Sequence, residues 1–228
     1  MLERVGFMVK AVDFLTKIFE ESRNDATAGP MEKYMKDLFP FLGIKKPLRN
    51  ELEKQFFKET EIIKEPFNPT FVQELWQKDE REYQYTALIY IEKSLKKLEK
   101  LDLELMEHLI MTKSWWDTVD TLAAKPVGAI ARRFPEVIEE HIDGWSTSEN
   151  MWLRRTAIIF QLKYKQDTNE RLLYQYILKN ADSKEFFIQK AIGWALREYS
   201  KTNPASVKEF LQDYEVSRLS YREGSKYI

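Results

Sequence analysis

Trp116 and Asp120, four residues apart, are the pair in this 228-residue chain whose types and spacing best suit chemistry. They fall in the stretch Lys113-Ser114-Trp115-Trp116-Asp117-Thr118-Val119-Asp120. Ser114 is placed to cap a helix, and Asp117 sits where the positive end of the helix dipole favours an acid. Residues four apart share one helix face, so an indole and a carboxylate would stand side by side. Such a pair suits a site that meets a cation. It also suits an ordinary half-buried helix end, because a lone tryptophan is more often packing and a lone aspartate more often a solvated acid.

Composition narrows the chemistry around that pair. The chain has no cysteine, which excludes disulfides, thiolate metal sites and a cysteine nucleophile. Only His108 and His141 are present, so neither a His-rich metal cluster nor a His-based triad is expected. Both histidines read as surface or half-buried groups without a role. No apolar run approaches the ~18 residues of a membrane span, and no signal-like apolar block opens the chain. The expected location is the cytoplasm, with no membrane partner. The net charge of −1 argues mildly against a nucleic-acid binder, although a charge sum hides cations sorted onto one face.

Helices must position the pair. Gly (7) and Pro (8) are few, charged residues reach 32% and hydrophobic residues 43%, which favours helices with solvated outer faces around an adequate core. Val5, Val9, Val12, Phe14, Ile18 and Phe19 form a helical stripe, and Ala28-Gly29-Pro30 reads as punctuation after it. Pro47 is well placed for the first helical position, opening a helix from about Leu48 to Lys64. Further helices are expected over about 70–77, 101–111, 135–145 and 169–179. Residues 1–30 are read as a variable N-terminal helix and 214–228 as a polar tail that frays.

The chain also repeats itself. Helix-start residues stand at Asp79, Ser114, Ser148 and Ser183, spaced 35, 34 and 35. Two helices per period of this size describe an all-α solenoid of HEAT-like antiparallel helix pairs, read here as one domain over 1–228 with a concave groove. Six residues after the starts stand Tyr85, Asp120, Arg154 and Gln189. Seven after stand Thr86, Thr121, Arg155 and Lys190. Core positions should be apolar in every repeat, and these are not. If they face the groove, Trp116, Asp120, Arg154 or Arg155, Lys190 and Trp194 line it. Trp115, Trp145 and Trp152 are assigned to packing between helices.

Three stretches carry a resemblance: Lys113-Ser114-Trp115-Trp116-Asp117-x-Val119-Asp120, Trp152-Leu153-x-Arg155-x-Ala157-Ile158, and Ser183 through Trp194. In this order they resemble the bacterial AlkD-type alkylpurine DNA glycosylases, from about Pro30 to Pro204. The resemblance implies a HEAT-like helical fold with a concave DNA-binding groove. It implies a monofunctional enzyme that excises N3- and N7-alkylated purines from duplex DNA, without metal or organic cofactor, in base excision repair. The family's catalytic aspartate falls on Asp120, its sugar-contacting tryptophans on Trp116 and Trp194, and its backbone-binding arginine on Arg155. Arg154, Lys113, Lys163, Lys190, Arg197 and Tyr34 are placed more loosely as DNA-binding. A branch of the wider family lacks the aspartate and arginine, and this chain keeps both. The N-terminal residues and the Lys45-Lys46 turn depart from the family and bear on substrate range. A monomer gripping duplex DNA is expected. The contrasting reading is a helical scaffold that binds DNA or protein without chemistry.

Overall fold

The computed structural model describes the backbone of residues 2–228 and the side chains from Lys10 onward. Val5 and Val9 of the N-terminal stripe therefore lie outside the described side chains. All regular structure among the described residues is helical. None of these helices is long and apolar enough to cross a membrane. The chain divides into two compact units, Met1–Lys97 and Leu98–Ile228.

The first unit holds α1 (Leu2–Glu20), α2 (Asp25–Tyr34), α3 (Lys46–Thr60), α4 (Pro69–Gln77) and α5 (Arg81–Lys93). From the stripe of α1, Phe19 is fully buried and Ile18 nearly so, and Leu15, outside the stripe, is fully buried as well. Ala28-Gly29-Pro30 does not break the chain: all three lie within α2, with Pro30 in its interior. The helix opens with Thr27 and Ala28 donating to the Asn24 carbonyl, and it ends four residues after Pro30, so the one missing amide bond is tolerated. Pro47 stands in the first turn of α3, as its fixed φ favours. The loop between α2 and α3 is held by Glu82, whose buried carboxylate accepts from the amides of Leu42, Gly43 and Ile44 at 3.0, 3.0 and 3.1 Å. Gly43 has φ +83, and a Cβ there would lie 2.0 Å from the Asn24 oxygen, so only glycine fits.

The second unit holds α6 (Asp102–Met111), α7 (Trp116–Leu122), α8 (Gly128–Arg133), α9 (Asp143–Trp145), α10 (Met151–Ile159), α11 (Glu170–Leu178), α12 (Phe186–Ser200), α13 (Pro204–Asp213) and α14 (Arg218–Gly224). A wide π-type turn, Ala123–Val127, joins α7 to α8 and absorbs Pro126. Helices α7, α10 and α12 lie side by side, with α11 packed on α10 and α13 on α12. Their shared core is aliphatic, with Ile158, Ile159, Leu173, Ile177, Ile188, Ile192, Leu196 and Val207 at its centre.

The repeat is real, but its phase differs from the sequence reading. Helices α5, α7, α10 and α12 begin at Arg81, Trp116, Met151 and Phe186, each 35 residues after the last. The serines are not their caps. Ser114 donates back to the Ile110 carbonyl at 2.6 Å, closing the end of α6. Ser148 and Ser183 each accept from the amide two residues on, at 3.1 and 3.3 Å, which makes a turn ahead of the helix. Gln84, Arg154 and Gln189 occupy equivalent places and each donates to the carbonyl six residues upstream, at 2.7, 2.7 and 2.9 Å. A local tie accounts for the polar side chain at these three places, while the equivalent residue of α7 is the buried Val119.

The tail does not fray. Helix α14 lies against α12 because Gly193 leaves room, since a Cβ there would come within 2.6 Å of the Glu223 Cβ. The Ser220 hydroxyl donates to the Gln189 carbonyl at 2.8 Å.

Candidate active site

Counting by the true period, the residues equivalent to Asp120 are Tyr85, Arg155 and Lys190, not Arg154 and Gln189. Because α7 and α10 are neighbours, that equivalence brings Asp120 and Arg155 together. The Arg155 Nε donates to Asp120 Oδ1 at 2.7 Å and Nη2 to Oδ2 at 2.8 Å, a bidentate fork. Its Nη1 donates to the Phe187 carbonyl at the start of α12. One guanidinium thus ties three successive repeats at one point.

Burial differs across the pair. The Arg155 side chain is 5% exposed and Asp120 17%, so the acid is the member that solvent or a ligand reaches. Burial pushes the Asp120 carboxyl above the ordinary aspartate range, and Asp117 adds to the push. The hydrogen bonds and charge of Arg155 oppose it. Behind the pair stand Trp115, Trp152 and Phe187 in mutual contact, with centroids 5.8, 5.1 and 5.0 Å apart. The Arg155 guanidinium lies 5.8 Å from the Phe187 ring. Trp115 and Trp152 pack between helices as expected, and Trp145 is buried with its indole N–H on Glu107 at 3.0 Å.

Trp116, the first residue of α7, is half-buried one turn before Asp120 on the same face. Trp194 is half-buried on α12 and packs in part on the aliphatic core. Lys190, Trp194 and Arg197 share one face of α12, and both cations meet Glu223 of α14. Lys113 adopts a left-handed backbone conformation, φ 49, just before the two tryptophans. Lys163 is exposed. Tyr34 is 72% exposed at the end of α2 and belongs to the first unit, whereas Asp120 belongs to the second. Arg154 has its Nη1 on the Ser148 and Glu149 carbonyls.

Sequence reasoning missed Phe187 and Glu223. The 35-residue period could have found the first, since 152 and 187 are equivalent aromatic positions. Only Lys226, three residues on, marks Glu223 locally, and its other partners lie 26 and 33 residues earlier.

The arrangement offers one reachable carboxylate, locked in orientation, with an indole on its own helix face. It can stabilise a developing positive charge and orient a water molecule.

Comparison with curated proteins gives no match. A solved structure described as a predicted DNA alkylation repair enzyme from Enterococcus faecalis is 36% identical, with a TM-score of 0.79, covering 90% of this chain and 96% of that one. AlkD2 from Streptococcus mutans, 22% identical with a TM-score of 0.59 over 80% of this chain and 98% of that one, shares the fold. A family model described as DNA alkylation repair enzyme matches residues 15–228. With almost the whole length matched, the chain belongs to the DNA alkylation repair enzyme family, whose work is on alkylated DNA.

Proposed function

We propose that this protein is a monofunctional DNA glycosylase that hydrolyses the N-glycosidic bond of N3- and N7-alkylated purines in duplex DNA. The observation that carries the reading is the Asp120–Arg155 fork, which holds the Asp120 carboxylate in one orientation while leaving it more exposed than its partner, 17% against 5%. A purine alkylated at N3 or N7 is already cationic, so it departs as a neutral base without a general acid. As the C1′–N bond breaks, its electron pair goes to the purine and positive charge grows on the deoxyribose. Asp120 stabilises that centre and aligns the attacking water, whose proton passes to the carboxylate or to solvent. Trp116 and Trp194 hold the cationic sugar against their ring faces, each contact contributing about 0.5–2 kcal/mol. Arg155 acts through Asp120, fixing its orientation.

The test is release of free base from duplex DNA carrying N7-methylguanine. Wild type should release it and leave abasic sites, and Asp120→Asn should be slower by about 10²–10³-fold. Equal release by both proteins would overturn the proposal, as would no release by wild type.

One observation favours a second reading. The fork joins α7, α10 and the start of α12, which is also what a purely structural clip would do in a DNA-binding scaffold. In that case Asp120→Asn lowers thermal stability and the wild-type protein binds duplex without turnover.

A further inference from the structure

Glu223 is a carboxylate set among three cations. Its Oε1 lies 3.6 Å from Lys190 Nζ, and its Oε2 lies 3.1 Å from Lys226 Nζ and accepts from Arg197 Nη1. Its side chain is 10% exposed, while those of Lys190, Arg197 and Lys226 are 39, 24 and 50% exposed. Lys226 first, then Lys190 and Arg197, hold the Glu223 carboxyl down at about 2. The acid is therefore the hidden hub and the cations form its outer rim, with a surplus of two positive charges. Each cation also keeps donors beyond the one it gives Glu223, since an ammonium has three and a guanidinium five.

Two features of α12 make this placement specific. Gly193 admits α14 close enough for Glu223 to sit along the α12 face, and Ser220 ties α14 to the Gln189 carbonyl, next to Lys190. On that face Trp194 stands one turn after Lys190 and one turn before Arg197. The two cations consequently flank the indole. Without Glu223 they would repel one another and swing into solvent on long, flexible stems.

Taking the DNA reading above as given, we propose that Lys190, Arg197 and Lys226 form a phosphodiester-binding clamp beside Trp194, and that Glu223 is the positioning residue that assembles it. The C-terminal helix then belongs to the DNA-binding surface. A backbone phosphate meets the outward donors of the rim, while the buried carboxylate keeps them gathered.

The experiment measures binding of a fluorescent, undamaged duplex by anisotropy from about 50 to 200 mM salt, where each phosphate contact contributes a slope of about 0.9 in log K against log salt. Lys226→Ala, at an exposed side chain, should reduce the slope by about 0.9 and weaken binding by up to about tenfold at 0.1 M salt. Glu223→Gln makes the chain one charge more positive, yet should bind more weakly, and Glu223→Asp should recover part of the loss. An unchanged slope in Lys226→Ala overturns the clamp. Tighter binding by Glu223→Gln overturns the positioning role, since it would mean the carboxylate competes with DNA for its cations. If Glu223→Gln fails to fold, Lys226→Ala decides alone. The readout is affinity for undamaged DNA, so failure of the glycosylase reading would appear separately, as absent base release with the salt slopes intact.

Discussion

At Asp120, burial and counter-charge act in opposite directions on one carboxyl. Burial raises its pKa, and the Arg155 fork resists. Catalysis as proposed needs the anion, so excision should fall as pH drops through a value above the ordinary aspartate range. Stability runs the other way. A folded-state pKa raised above the unfolded one gives a contribution that is full at low pH and lost as pH rises through the folded value. The acid is thus kept ionised at some cost to the fold, as expected where a site demands an unfavourable charge. Arg155→Ala removes the partner and leaves a buried carboxylate uncompensated. We predict a loss of about 3–5 kcal/mol in denaturant unfolding and a shift of the acid limb of excision to higher pH. Lysine at this position should not restore either, because a point charge cannot form the two-pronged bond and reach the Phe187 carbonyl as well. An acid limb unmoved in Arg155→Ala would show that Asp120 does not set it.

At the scale of helices, the 35-residue spacing explains why residues distant in sequence meet. Asp120 and Arg155 differ by one full period and sit on adjacent first helices, so their contact follows from the stacking of α7 on α10. Glycine then decides how closely elements approach. Gly193→Ala places a methyl 2.6 Å from the Glu223 Cβ and 3.0 Å from the Ser220 oxygen, neither of which is a flexible chain end. It should destabilise by about 1–3 kcal/mol by forcing α14 away, seen as a lower Tm. Gly29→Ala is the matched control. A Cβ there meets nothing within 4 Å, and the residue lies inside α2. Replacing that glycine should leave stability unchanged or raise it by about 0.5–1 kcal/mol, because alanine loses less backbone freedom in a helix. Equal losses at both positions would indicate that helix propensity, not the α12–α14 contact, governs Gly193.

For the molecule as a whole, the second unit contains Asp120, Arg155, Trp116, Trp194 and the cations of α12, all within residues 98–228. Since these residues need no second copy to meet, we predict that one chain binds one short duplex as a monomer. Sedimentation of the complex checks this, and two chains per duplex would contradict it. The first unit contributes exposed Tyr34. Its Tyr85 stands at the repeat position of Asp120, with the Arg49 guanidinium 4.5 Å from its ring.

The residue pattern alone determined that the chain is helical, that it repeats about every 35 residues, and that Trp116 and Asp120 share a helix face, while it left Arg154 and Arg155 as alternatives. These follow from local physics: apolar spacing sets helix faces, and helix starts recur at a fixed interval. Matching motifs named Asp120, Trp116, Trp194 and Arg155 together. Only the tertiary structure decided the phase of the repeat, because a serine before a helix can cap it, close the previous one or make a turn, with similar local energies. Only it revealed that the Arg155 fork is closed on Asp120, that Arg154 is a local tie and that the tail is a docked helix. These outcomes depend on close approach between segments tens of residues apart, as Gly193 and Glu223 illustrate, and such contacts leave no mark on the spacing of neighbours along the chain.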